Sequence, residues 1–193
     1  WQDQVGGVTG GIKYSVSTPG MRPDLQVSHL DPHLFLDPAA TSCYTLYYTG
    51  VTRPAKNILQ EVVDRFNSMS PAYLFTVRRI GALADIAREA FVRRDIDTLA
   101  WVMNESWKQN KLIHPSTSTK EIEETLNAVR PWYTAQKLLG AGGGGFAFFI
   151  SQTAEHAKRL REALAAEADV TGNNRARVVD LALNQTGLQV TVS

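Results

Sequence analysis

Leu139-Gly140-Ala141-Gly142-Gly143-Gly144-Gly145-Phe146, running straight into Ala147-Phe148-Phe149-Ile150, is the stretch on which the fold of this chain turns. Four consecutive glycines are costly to order, because glycine loses more backbone entropy on folding than any other residue. The apolar run behind them reads as a strand. The glycines therefore serve either a turn through positive φ or a backbone laid against a ligand. Successive N–H groups in such a turn form an anion nest suited to phosphate. Gly140 to Gly145 also spell G-x-G-x-x-G, but a dinucleotide fingerprint opens a helix and has an acidic residue about 20 positions on. A P-loop ends in Gly-Lys-Ser/Thr, whereas Gly145 precedes Phe146 and Ala147. A flexible turn between two elements is the plain alternative.

The chain has 193 residues, 44% hydrophobic and 20% charged, an ordinary globular composition. A net charge of +1 gives no reason to expect nucleic acid or a membrane as partner. The single cysteine, Cys43, sits in the apolar run Cys43 to Tyr48, so it forms no internal disulfide and reads as a buried thiol in a reducing, cytoplasmic compartment. No apolar run approaches the ~20 residues of a transmembrane helix, and no signal-peptide pattern opens the chain. It starts at Trp1 with the dense stretch Trp1-Gln2-Asp3-Gln4-Val5-Gly6-Gly7, which reads as a piece of a longer protein.

Three extended segments are expected first: Ile12 to Ser17, Leu25 to Leu30 and Cys43 to Thr49, with a loop containing Pro32 and Pro38 before the third. Helical stripes follow at Ile58 to Met69, Leu74 to Phe91 and Ile96 to Trp107. A fourth helix is expected from Ser118, whose capping box is completed by Glu121, and it stops before Pro131. Beyond the glycines come a strand over Ala147 to Ile150, a helix with Ala157, Leu160 and Leu164 inward, a strand near Ala176 to Ala182, and an alternating strand at Leu188, Val190 and Val192. This order suits an antiparallel sheet covered by helices, an α+β fold.

The glycine run resembles the third motif of the superfamily of galactokinase, homoserine kinase, mevalonate kinase and phosphomevalonate kinase (GHMP). Trp1 to Gly7 with Gly11-Ile12-Lys13, then Tyr48-Thr49-Gly50-Val51-Thr52-Arg53-Pro54-Ala55-Lys56-Asn57, then Leu138-Leu139-Gly140-Ala141 into the glycines, resemble its L-fucokinase branch. Heptose-phosphate kinases share a looser version. The resemblance spans the whole chain. It implies a GHMP C-terminal portion of ferredoxin-like α+β type, with residues 1–50 ending the N-terminal domain and residues 51–193 forming the C-terminal one. The activity implied is transfer of the terminal phosphate of ATP to the anomeric hydroxyl of L-fucose, giving fucose 1-phosphate for GDP-fucose salvage. Some relatives fuse this kinase to a nucleotidyltransferase.

The family's main phosphate loop, Pro-x-x-x-Gly-Leu-x-Ser-Ser, is not in this sequence, and Mg2+ contacts are expected from that same missing N-terminal half. The fragment alone is therefore expected to be inactive. Within the chain, the resemblance makes Asp3 the acid that orients or deprotonates the sugar hydroxyl, where an unaided reading gives a turn or helix cap. Gly142, Gly143 and Gly144 are expected to meet phosphate through their backbone, with Ala141 and Gly145 shaping the loop. Gly7 and Arg53 are candidate sugar contacts. Arg53 is equally well read as an exposed helix-start residue ahead of Pro54. Lys13 and Lys56 read as solvated charges, and Trp1 as a candidate pocket wall. His29, His33, His114 and His156 show no metal-ligand spacing, so no metal site is expected. Trp101, Trp107 and Trp132 read as packing residues. A non-catalytic ligand sensor on the same fold stays open as a rival.

Overall fold

The computed structural model describes residues 2–20, 22, 24–52, 63–64, 67, 70–140 and 142–191, with backbone only for Gln2 and Asp3. Helix α1, Gln2–Val8, leads into the antiparallel hairpin β1, Ile12–Ser17, and β2, Leu25–Leu30, in register from Ile12↔Leu30 to Ser17↔Leu25. Both strands have the bounds their sequence predicts. Two one-turn helices, α2 (His33–Leu36) and α3 (Pro38–Thr41), occupy the expected Pro32 to Pro38 loop, and Asp37 caps α3 by accepting from Ala39 N at 2.9 Å.

Strand β3, Tyr44–Tyr48, begins the main sheet. The long antiparallel helices α4, Pro71–Val92, and α5, Ile96–Ile113, follow it. Pro71 stands at the first turn of α4, where its missing N–H costs no bond. Asp95 caps α5 through Thr98 N at 2.9 Å. Then come α6, Lys120–Ala128, strands β4, Ala135–Leu138, and β5, Phe146–Ile150, helix α7, Ala154–Val170, and β6, Arg177–Val179. The strands lie in the order β4-β5-β3-β6, all antiparallel. Reduced to strands and crossovers, this is the β-α-β-β-α-β split unit of the ferredoxin-like type. β3 is an inner strand of the sheet, so a division at residue 50 separates it in sequence from the strands with which it pairs.

Both faces of the sheet are covered. On one, Tyr47, Leu138, Ala147 and Phe149 pack with Ile122 and Leu126 of α6 and Leu160 and Leu164 of α7. Each fully buried leucine or phenylalanine there contributes roughly 1.5–3 kcal/mol of apolar burial. On the other, Tyr44, Ala135 and Ile150 meet Ala100 of α5, with Phe35, Met103 and Phe148 beside them. The hairpin is tied to α4 by Tyr14 donating to Asp85 and by Arg88 lying over the Tyr14 ring.

Several expectations need correction. The N-cap of α6 is Thr119, whose Oγ1 accepts from Ile122 N at 3.3 Å; the Ser118 hydroxyl is buried with no hydrogen-bond partner among the described residues. Residues 180–191 form no strand, and Leu188 and Val190 are 63% and 79% exposed. Among the described residues no neighbouring strand pairs with them, and alternation alone does not supply one. Cys43 is half-buried rather than buried. Trp107 is a core residue, but Trp101 is 45% exposed beneath the Arg79 guanidinium. The helix expected at Ile58 to Met69 falls largely outside the described residues.

The chain end instead stitches onto the loop after α1. Gly11 N donates to Asn184 O at 2.8 Å and Leu188 N to Val8 O at 3.1 Å. A β-carbon on Gly10 would press into the Gln185 carbonyl and lie 2.5 Å from Gly187 N. Gly10→Ala is therefore expected to cost about 1–3 kcal/mol, as overpacking does. Gly6→Ala meets open space on helix α1 and should be neutral or stabilising. Melting temperatures of the two variants check this; equal values would mean that the 184–188 segment does not hold Gly10.

Candidate active site

The glycine run closes the β4–β5 hairpin, with Leu139 N donating to Phe146 O at 2.8 Å. Gly140, Gly142, Gly143, Gly144 and Gly145 all have positive φ, at 70°, 82°, 74°, 150° and 79°. Side chains at such angles are strained, which accounts for the glycines locally. Two of them are also closed sterically. A β-carbon on Gly142 would lie 2.5 Å from Thr117 O and 2.7 Å from its Cγ2, and one on Gly144 would lie 2.9 Å from the Val51 carbonyl carbon.

Two neighbouring segments grip the loop from outside the hairpin. Gly143 N donates to Thr117 O at 2.6 Å, and Gly145 N donates to Val51 O at 2.8 Å. Gly145 O accepts from both Thr49 N at 2.8 Å and Thr49 Oγ1 at 3.0 Å. Thr49 is itself held from the turn after α7, where Asn173 Nδ2 donates to its carbonyl at 2.9 Å. Thr117 is held by donating its N–H to His114 O at 3.0 Å and its Oγ1 to Asn110 O at 3.2 Å. The loop is thus a clamped backbone surface rather than a loose connector. Among the described residues, Gly143 and Gly145 donate to protein carbonyls, and no backbone bond is formed by the N–H groups of Gly142 and Gly144.

Thr49, Val51 and Thr117 were given no role from sequence. Only the invariant need of a glycine hairpin for backbone partners hinted at them, and it does not say which residues serve. The predicted residues elsewhere are placed as follows. Gly7 lies on α1, with open space where a β-carbon would be. Asp3 is on the same helix, its side chain outside the described atoms, and Arg53, Lys56, Trp1 and Ala141 are outside the described residues. Val5 and Gly6 of α1 line a cavity of about 440 Å³ with Tyr14, Ala84 and Arg88, apart from the glycine loop. Lys13 is not a solvated charge: its Nζ turns back onto the carbonyls of Thr9, Gly10 at 3.3 Å and Gly11 at 3.1 Å, fixing the end of α1.

Two further kinds of polar group near the sheet are held in place. His114 is buried and its Nδ1 accepts from Ser116 N at 3.1 Å. Burial pushes the Tyr47 and Tyr133 hydroxyls up from the ordinary tyrosine range. Among the described residues no group of three or more His, Cys, Asp or Glu side chains is placed to hold a metal ion, and no helix is long and apolar enough to cross a membrane.

The sheet order and its flanking helices make an α+β fold, and residues 87–170 match the GHMP kinases C terminal family. More particularly, the whole chain is 34% identical to L-fucokinase/L-fucose-1-P guanylyltransferase of Bacteroides fragilis, covering 20% of that protein. It is 32% identical over 88% of its length to the bifunctional fucokinase/GDP-fucose pyrophosphorylase of Arabidopsis thaliana, covering 16% of it. The chain thus spans a fifth or less of the length of these two relatives. The mevalonate kinase of Methanococcus jannaschii shares the fold over 80% of this chain and 43% of its own, with TM-score 0.57 and 18% identity.

Proposed function

We propose that the chain is part of an ATP-dependent sugar kinase that phosphorylates the anomeric hydroxyl of L-fucose, producing fucose 1-phosphate for GDP-fucose salvage in the cytoplasm. The observation that carries this reading is similarity, along the entire chain and along 88% of it, to two proteins whose names include fucokinase. The shape of the glycine loop supports it, since a fixed backbone with two remaining donors suits a phosphate.

In this reading the clamped loop binds phosphate oxygens through Gly142 and Gly144, and Gly143 contributes by holding the loop on Thr117. Asp3 orients the attacking hydroxyl or takes its proton, and Gly7 and Arg53 face the sugar. Mg2+ supplies charge neutralisation at the phosphates and is held outside this chain, in the N-terminal half of the kinase. Residues 1–50 belong with that half, except that β3 completes the sheet of residues 51–193. Phosphoryl transfer depends on positioning and charge stabilisation supplied jointly. The 193-residue chain by itself is therefore expected to show no appreciable turnover.

The test is an ATP-dependent phosphorylation assay on the full-length protein, followed by phosphorus NMR of the product. L-fucose is expected to give a sugar 1-phosphate. Transfer only to a heptose phosphate would replace the substrate. Absence of transfer to any sugar would favour a ligand sensor on a kinase fold. Robust fucose phosphorylation by the isolated chain would overturn the division of labour between its parts.

A further inference from the structure

On the sheet face opposite α6 and α7, a cavity of about 380 Å³ opens between the sheet, α4 and α5. Phe35, Leu83, Phe91, Val102, Met103 and Phe148 form its walls. Its polar side chains are Lys137 of β4, Ser106 of α5 and Tyr44 of β3, and Lys137 Nζ donates to Ser106 Oγ at 2.7 Å. A largely apolar wall with a few polar groups, and a volume of several hundred Å³, is how small-molecule sites are built.

The charge pattern says what would enter. Lys137 is set in apolar surroundings, and burial alone drives its ammonium below the ordinary lysine range, with no carboxylate among the described residues offsetting the loss of water. A buried cation without a counter-ion is costly. A carboxylate arriving from the cavity side would pair with the ammonium and accept the Ser106 hydroxyl hydrogen, which the bond from Lys137 leaves available. The rest of such a ligand is expected to be largely apolar, because apart from Tyr44 the remaining lining side chains are apolar.

From this we infer that the cavity binds an apolar carboxylate, of the medium-chain fatty acid class, with its carboxylate on Lys137 and Ser106 and its tail among Phe35, Phe91 and Phe148. This site lies on the face away from the α6–α7 core and does not depend on the fucokinase reading. Octanoate is the probe, with octanol as its uncharged counterpart, titrated by calorimetry into the full-length protein and into the 193-residue chain. Saturable octanoate binding is expected, roughly tenfold or more tighter than octanol, since a charge-assisted pair of this kind discriminates by about that much.

Lys137→Met keeps length and apolar bulk, so it should fold while losing that preference. Ser106→Ala removes only the second donor and should weaken octanoate by a smaller factor. Both variants are checked for cooperative unfolding beside the titration. Equal binding of octanoate and octanol, unchanged octanoate binding by a folded Lys137→Met, or no octanoate binding at all would each overturn the inference. Because the readout is ligand binding, its failure is distinct from a failure of sugar phosphorylation.

Discussion

Asp3→Asn in the full-length protein is expected to lower kcat by on the order of 10²–10⁴ while leaving the melting temperature nearly unchanged. The size follows from what a positioned carboxylate contributes when it orients an attacking hydroxyl or removes its proton, and the amide can do neither as a base. The small effect on stability follows from where the residue sits. It is the second residue of α1, Gln2–Val8, and an amide is tolerated at a helix start nearly as well as an acid. Substrate binding should persist, so KM for the sugar changes far less than kcat. Initial rates and thermal unfolding, measured on the same preparation, decide the matter. A folded Asp3→Asn enzyme with parental turnover would return Asp3 to a helix-capping role and remove the catalytic acid from this chain.

How far sequence alone reached can be read residue by residue. Ile12 to Ser17 and Leu25 to Leu30 were legible because each is a short extended run bounded by turn residues, and their structure matches. The helical stripes at Leu74 to Phe91 and Ile96 to Trp107 were legible for the same kind of reason, a period near 3.6 sustained over several turns. β4 was not. Ala135-Gln136-Lys137-Leu138 is four residues long, and both of its faces are covered, so Gln136 and Lys137 stand where alternation would place apolar side chains. The opposite error occurred at Leu188 and Val190, where alternation suggested a strand that no strand among the described residues completes.

The cap of α6 was missed by one residue because Ser116-Thr117-Ser118-Thr119 offers several equivalent hydroxyls, and only the backbone geometry chooses Thr119. The glycine loop itself was legible as a positive-φ turn, and every described glycine from Gly140 to Gly145 has that geometry. Its partners were not, since Thr49, Val51 and Thr117 are far away in sequence and act through backbone carbonyls or a hydroxyl. Nothing in residue type marks a carbonyl that will receive a distant N–H. The same is true of Lys137 and Ser106, which meet only because β4 lies beside α5.

Gly144→Ala should damage the loop far more than Gly145→Ala, which is its control. Both positions have positive φ, so both variants carry backbone strain of roughly 1–2 kcal/mol or more. They differ in space. A β-carbon on Gly145 meets nothing, whereas one on Gly144 runs into the Val51 carbonyl, and the bond from Gly145 N to Val51 O leaves that carbonyl little freedom to retreat. The added overpacking costs about 1–3 kcal/mol, so Gly144→Ala is expected to lose roughly 3 kcal/mol in all. In the full-length enzyme the same displacement moves a proposed phosphate donor, and the KM for ATP should rise while sugar binding holds. Denaturant unfolding and ATP kinetics on both variants test this. If Gly144→Ala is no less stable than Gly145→Ala, Val51 does not clamp the loop. If it is less stable yet uses ATP at the parental KM, the clamp is structural and the phosphate is held by other groups.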